Sequence, residues 1–228
     1  MSYSFVISGN SAIITAEFNP PIYLDENSSH VIGLINFETF NAIPNIDESN
    51  NLFIYNFNKQ IIIPSGSYEK DDINKLLQKE LDKENLSFNL FPNNNTLRTH
   101  IKSTFPITFK KGTIGNILGF KDQELIQNKE HISDLPAEII RVNAINIDCS
   151  IAEGSYLNGQ PVHIIHQFFP SVSPGYKIIE SPQNIIYFPV TVKVIDKIII
   201  KIVDQEGDIF NFRGETVTVR LHLKKLEE

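Results

Sequence analysis

The chain has one cysteine, one methionine and no tryptophan among its 228 residues. A single cysteine, Cys149, excludes an internal disulfide framework and a zinc site built from several cysteines. The first residues lack the basic start and apolar core of a signal peptide. No apolar run approaches the roughly 20 residues that cross a bilayer. We therefore expect a soluble protein of intracellular origin, without a membrane span.

Basic residues are also scarce. The 20 lysines and arginines are outnumbered by 27 acidic residues, which gives a formal net charge of −7. Lys224–Lys225 is only a pair, and no run of five basic residues occurs. Proteins that neutralise phosphates cluster Lys and Arg on one face, so no specific nucleic-acid partner is expected. The 41% of hydrophobic residues excludes a disordered chain.

Strict alternation of side chains marks the C-terminal part. From Thr216 to Lys224, Val and Leu alternate with Thr, Arg and His, the period of a half-buried antiparallel strand. Asp196–Val203 forms a second isoleucine-rich strand. The residues between them include Asp204–Asp208, a turn in which Gly207 can adopt positive φ.

Further strands are expected throughout the chain, separated by Pro, Gly, Asn and Asp. Pro189 favours an edge strand or a bend at its position. Many short strands at this spacing indicate a sandwich or barrel. The predicted strands are Ala12–Phe18, Val31–Phe40, Leu52–Phe57, Gln60–Pro64, Leu97–Lys102, Ile139–Ile151, Val162–Phe169, Tyr176–Glu180 and Ile185–Val194.

Two segments interrupt the β pattern. Ile73, Leu76, Leu77 and Leu81 form one stripe of an amphipathic helix, for which Ser67 is the candidate N-cap. Residues 113–120 indicate a single apolar turn. The prediction is an all-β jelly-roll β-sandwich with one amphipathic helix and short helical turns inserted. We expect a single domain over residues 1–228, with 1–30 as an N-terminal arm or extra strands and 31–228 as the body; a small second β unit stays open.

Candidate catalytic residues have simpler interpretations. Gly154-Ser155 follows a strand but lacks the helix of a nucleophile elbow, which favours a turn serine. Cys149 ends an apolar strand and is expected to pack as a small buried group. Lys111-Gly112-Thr113 lacks the upstream glycine and the buried strand of a phosphate-binding loop. The carboxylate pairs Asp71-Asp72 and Glu227-Glu228 are interpreted as a helix start and a solvated end.

The histidines do not form a metal-binding pattern. His163 and His166 are three residues apart, so on a regular strand they face opposite sides and cannot hold one ion. His222 is alone on the polar face of its strand. Solvent-facing or locally bonded histidines are the favoured interpretation. The prediction is therefore a non-enzymatic protein with no catalytic residues, no cofactor and no metal.

The stretch 154–192 alternates short strands with Pro and Gly turns. Two interpretations are equally open: a shaped rim whose aromatic residues anchor neighbouring subunits, or an ordinary core with strand ends. The aromatic residues concerned are Phe168, Phe169, Tyr176, Tyr187 and Phe188.

Several segments resemble a family found in Polinton (Maverick) elements and their adintovirus-like relatives. The resemblance covers most of the chain from about Val31. The similar segments are Ile32–Ile46, Ile63–Glu69, Ile114–Phe120, Ile151–Gly159, His163–Glu180, Ile186–Val190, Ile202–Gly207 and Phe212–Lys225.

This resemblance implies the minor capsid, or penton, protein of a virion. In that family a jelly-roll subunit forms homopentamers that close the five-fold vertices of an icosahedral shell. A larger double-jelly-roll major capsid protein builds the rest, and no family active site exists. Copies also reside in animal genomes, which leaves an active element and a domesticated copy both open.

Three alternatives remain. A cellular recognition module of the tumour necrosis factor or C1q type is usually trimeric and secreted, and the missing signal peptide counts against it. A cupin-like or carbohydrate-active enzyme is opposed by the histidine spacing. The major capsid protein itself needs two full jelly rolls, for which 228 residues are too few.

Overall fold

The computed structural model describes residues 2–138 and 144–226. The chain forms two compact units, one from Met1–Ile43 with Val142–Glu228 and the other from Pro44–Arg141. Each unit has its own buried apolar cluster. The described elements, in chain order, are β1 (Ser2–Gly9), β2 (Ile13–Tyr23), β3 (His30–Phe40), β4 (Leu52–Tyr55), β5 (Lys59–Ile62), α1 (Lys70–Asp82), β6 (Phe88–Pro92), β7 (Thr99–Ser103), β8 (Ile107–Phe109), β9 (Gln123–Leu125), β10 (Glu130–Ile132), β11 (Ile145–Cys149), β12 (Ser155–Leu157), β13 (Gln160–Val162), β14 (Ile164–Phe168), β15 (Lys177–Glu180), β16 (Phe188–Val190), β17 (Val194–Val203) and β18 (Val217–Lys225).

The first unit is a sandwich of two antiparallel sheets. The front sheet has the order β1-β18-β3-β15, with β16 also paired to β3, and the back sheet has the order β14-β11-β17-β2. Without the β12–β13 hairpin and β16, eight strands remain, and the first pairs with the last, the second with the seventh, the third with the sixth and the fourth with the fifth. This wrapped order is that of a jelly roll, so the predicted all-β fold class is confirmed.

Alternating side chains place the core between the two sheets. On β18, Val217, Val219, Leu221 and Leu223 are fully buried, as the alternation predicts. They share one cluster with the isoleucines of β17 in the back sheet, Ile198, Ile200 and Ile202. Burying each such side chain contributes roughly 1.5–3 kcal/mol, so this shared layer holds the sheets together.

The N-terminal residues contribute strands to both sheets. All eight residues of β1 are paired with β18, and β2 pairs with β17. Residues 1–30 thus contain the two strands β1 and β2, one in each sheet. The sequence analysis missed β1. In this strand the serines Ser2, Ser4 and Ser8 lie on one side, and Phe5 and Ile7 on the other side enter the core.

The second unit contains two small sheets and the helix. One sheet has the order β5-β4-β8-β9 and the other β10-β7-β6. Helix α1 buries Ile73, Leu77 and Leu81, the predicted stripe. The predicted N-cap Ser67 is wrong: the cap is Glu69, whose backbone N–H donates to Asp72 Oδ2 at 3.2 Å. Here the carboxylates of Glu69 and Asp72 form a capping box, in which each accepts a backbone N–H of the first helical turn. The sequence analysis had assigned this role to the hydroxyl of Ser67.

Residues 113–120 form successive turns closed by backbone hydrogen bonds, among them Phe120 N to Gly115 O at 2.8 Å. Ile114, Leu118 and Phe120 are buried in the core of the second unit, as expected for an apolar turn. The second unit is inserted between β3 and β11, which explains why the strands outnumber the eight of one jelly roll. The prediction of a single domain over residues 1–228 stays a prediction.

The bounds of the other predicted strands differ in both directions: β2 and β17 are longer than predicted, whereas β4 and β16 are shorter. The predicted Ile139–Ile151 strand is observed as β11, and its residues 139–143 lie outside the described part of the chain. Pro189 lies on β16, which pairs only with β3 among the described strands and so borders the front sheet, as its proline predicts.

Gly207 has a φ of +91° in the turn after β17, and a Cβ built on it meets no atom within 4 Å. Backbone strain alone should therefore destabilise Gly207→Val, by roughly 1–2 kcal/mol. Gly207→Asn is the matched control, because asparagine tolerates this conformation and should lose less. Urea unfolding of the three proteins measures the difference, and equal stability of Gly207→Val and the parent would contradict it.

Candidate assembly surface

The candidate nucleophiles are occupied or inaccessible. Ser155 Oγ donates to Val162 O at 2.7 Å and so holds the two strands of the β12–β13 hairpin together. Cys149 is fully buried, and burial raises the pKa of its thiol to about 11. Its neighbour Asp148 faces the opposite side of the strand, because side chains alternate along β11. Both Ser155 and Cys149 thus act as structural residues, as the sequence analysis favours.

Each candidate histidine contacts a different partner. His163 Nδ1 lies 2.6 Å from Ala152 O, and His166 Nε2 lies 2.9 Å from Glu180 Oε1. His222 lies between Ser2 and Tyr187, 2.7 Å from each hydroxyl. No group of three metal-ligating side chains occurs among residues 2–138 and 144–226. Each of these three histidines is hydrogen-bonded to groups distant in sequence, and only His222 links its strand to a paired strand, through Ser2 of β1.

The remaining polar candidates also have structural roles. Thr113 Oγ1 donates to Lys110 O at 2.7 Å and is buried, which closes the turn around Gly112. Asp72 caps α1. Glu227 and Glu228 lie outside the described residues. No described helix has both the length and the apolar character needed to cross a membrane.

The aromatic residues of 154–192 divide into three groups. Phe168 belongs to the core, where its ring centroid lies 5.3 Å from that of Phe37, so its interpretation as a rim anchor is wrong. Phe169 and Tyr176 are 69% and 68% exposed at the two ends of the β14–β15 loop. Tyr187 and Phe188 are half-buried. The core interpretation holds for Phe168, and the interpretation of the exposed residues as anchors for neighbouring subunits stays a prediction.

Tyr187 anchors a strap, defined as residues 181–187, to the outer face of the front sheet. Its hydroxyl lies 2.7 Å from His222 Nδ1, and the Lys224 ammonium lies 4.2 Å from the centre of its ring. The strap passes so close to β3 that a Cβ on Gly33 would lie 2.7 Å from Ile186 O. Glycine at position 33 is therefore required by the close approach of the strap backbone.

Two exposed apolar residues, Phe40 and Ile179, form a patch on this outer face, here called the front patch. Phe40 pairs with Lys177 and Ile179 with Glu38, so Phe40 and Ile179 are diagonal neighbours on one face. Ile186, on the strap above Gly33 towards the other end of β3, lies outside this patch. All three side chains are at least 44% exposed.

A second patch, the back patch, lies on the outer face of the back sheet and consists of Tyr23 and Val194. Tyr23 on β2 is directly opposite Val194 on β17. Their exposed fractions are 68% and 46%. Since the core lies between the sheets, the two patches face opposite sides of the sandwich.

The sequence analysis missed both patches. Alternation identifies which strand residues share a face, but it does not tell which face is the outer one when both carry apolar side chains. Ile178 and Ile179 illustrate this, because the first is buried and the second is 61% exposed. Only the pairing with β3 assigns them to their sides.

Comparisons with known proteins give one informative likeness. No protein-family model matches the chain, and no curated protein matches it by sequence. Among solved structures, it is similar to the crystal structure of the mavirus penton protein, with a TM-score of 0.52 and 11% sequence identity. The match covers 99% of this chain and 99% of the mavirus chain. At this identity the likeness is one of fold.

Burial of Cys149 should make stability fall at alkaline pH. Folding raises the pKa of the thiol from 9.0 to about 11. The stabilisation is therefore complete below about pH 9 and is lost as the pH rises towards 11, by about 2 kcal/mol. Urea unfolding across this range should show the loss in the parent and a flatter profile in Cys149→Ala. Parallel profiles of the two proteins would contradict the assignment.

Proposed function

We propose that the chain is a structural capsid protein: the penton, or minor capsid, subunit at the five-fold vertices of an icosahedral particle. The observation that carries the proposal is the end-to-end similarity in fold to the mavirus penton protein. That similarity includes 99% of both chains, so almost no part of either, inserted unit included, lies outside it. A jelly roll serves many functions, but a jelly roll with this insertion is a narrower architecture.

The finer proposal is a Polinton or adintovirus-like particle. Its support is the sequence resemblance from about Val31 onwards. That resemblance and the similarity in fold both point to penton proteins. In such a particle the partners of the chain are four further copies of itself and a double-jelly-roll major capsid protein. Its location is the virion, and the host cell during assembly.

The chemistry of the described side chains supports a non-enzymatic role. The candidate nucleophile Cys149 is buried with a protonated thiol, and the three candidate histidines each hold a neighbouring strand or loop. Exposed apolar patches on both outer faces of the sandwich are the kind of surface that protein–protein contacts use.

Native mass spectrometry of the purified chain tests the proposal. We expect a species of five times the 25.9 kDa chain mass, seen as five-fold rings by electron microscopy. A uniform trimer would instead favour the recognition module of the tumour necrosis factor or C1q type. Stoichiometric bound metal with metal-dependent turnover would contradict the non-enzymatic role.

A further inference from the structure

We infer that the free edge of β1 is a docking site for an extended arm of a neighbouring shell protein, which adds to the front sheet as a further strand. Such an arm has roughly five to eight residues, the usual length of a strand, with apolar side chains at alternate positions and no proline. The inference rests on the proposed function only for the source of the arm, a different protein that lies beside this chain in the shell.

β1 is an edge strand with hydrogen-bonding groups on its outer side. It pairs with β18 on one side, and no other strand among the described residues pairs with it. The described part of the chain also contains no backbone–backbone hydrogen bond from Ser2–Gly9 to a loop. Alternate residues of an antiparallel strand direct both N–H and C=O away from the paired strand. A row of such groups is matched by the backbone of another extended segment.

The other edge strands of the sandwich each have a feature that opposes strand addition, and β1 has none. β2 contains Pro20 and Pro21, and β14 pairs with β11 across a register shift. β15 has Lys177 and Glu180 among its four residues, and β16 has Pro189 among its three. β1 has eight residues, no charge, no proline and no register shift along β18. Because proteins normally protect long edge strands from pairing, this unprotected edge indicates that a partner strand covers it.

The core is also incompletely covered beside this edge. Ala16 and Phe18, on the inner face of β2, are only partly buried, whereas Ile198 and Ile200 on the paired strand β17 are fully buried. The ring centroid of Phe18 lies 5.3 Å from that of Phe5 on β1, so this open margin lies next to β1. A strand added to β1 would turn every second side chain towards it, which is why the arm needs apolar residues at alternate positions.

A single extended arm fits this edge better than a second folded copy does. Two β1 strands paired about a two-fold axis would bring the β2 strands of both copies together, because β2 borders the back sheet beside β1. Pro20 and Pro21 of β2 have no N–H with which to pair. A single arm needs only the edge of β1 and leaves β2 in water.

A synthetic peptide with the sequence of residues 217–225 is the probe, because this sequence already pairs with β1 on its other side. We expect the peptide to bind the purified chain in isothermal titration calorimetry, and amide hydrogen exchange to slow in β1 while it stays unchanged in β18. A control peptide with Val219→Pro and Leu221→Pro should not bind, since proline cannot join the ladder. Faster exchange in β18 would show that the peptide displaces that strand, which would contradict the inference.

Two variants of the chain place the same charge on and beside the edge. Ser8 on β1 lies opposite Thr218 on β18, and their hydroxyl oxygens are 2.9 Å apart on the outer face. Ser8→Lys should weaken binding of the peptide by about 5-fold or more, since a lysine on an edge strand opposes strand addition. Thr218→Lys is the matched control: it loses the same hydroxyl contact, but β1 separates it from the added strand, so it should bind the peptide as the parent does. Circular dichroism spectra equal to that of the parent establish that both variants are folded.

The outcomes distinguish this inference from the proposed function. If the parent forms pentamers and the peptide does not bind, the docking site is wrong and the penton proposal stands. If the peptide binds at β1 and the parent forms no pentamer, the docking site is right and the penton proposal is wrong. If native mass spectrometry shows that Ser8→Lys divides the parent's oligomer into smaller species while Thr218→Lys does not, a second copy occupies the edge and the inference is overturned.

Discussion

The pairing of the first strand with the last is the interaction on which the rest of the structure depends. Ser2–Gly9 pairs along its whole length with residues 217–224, and β18 in turn pairs with β3. Without this pairing β18 would become an edge strand held only by β3, and Phe5 and Ile7 would leave the core. The back sheet would then lose part of its apolar partner, since the core consists of the inner faces of both sheets.

Local pattern was enough for the fold class and for the strongest elements. β18, β17 and α1 each have one polar and one apolar side, so their periodicity identifies both the element and its buried face. The residues that were predicted wrongly are those whose burial depends on distant parts of the chain. Phe168 and Phe169 are neighbours of the same type, yet one packs on Phe37 and the other is exposed, because only the first faces β3. Similarly, nothing near Gly33 in the sequence indicates that the strap passes over it.

The candidate site residues were predictable only in part. The spacing of His163 and His166 predicted that they do not share a partner, and in the structure one contacts Ala152 O and the other Glu180 Oε1. The exposed patches were not predictable, because each joins a residue of β2 or β3 to a residue of the C-terminal third of the chain, Tyr23 to Val194 and Phe40 to Ile179. Such a surface forms only when the sheets have paired, whereas a catalytic motif can often be recognised within a few consecutive residues.

The insertion of the second unit between β3 and β11 has a consequence for biosynthesis. Residues 44–138 are contiguous, and their strands pair only with strands of the same unit among the described strands, so this unit has all its strand partners once its own last residue has left the ribosome. The surrounding sandwich lacks β18 until residues 217–225 have been translated, and β1 has no strand partner before that. An unpaired strand without charges or prolines can aggregate through its free backbone groups. We therefore expect the nascent chain to need co-translational chaperones until β18 pairs with β1.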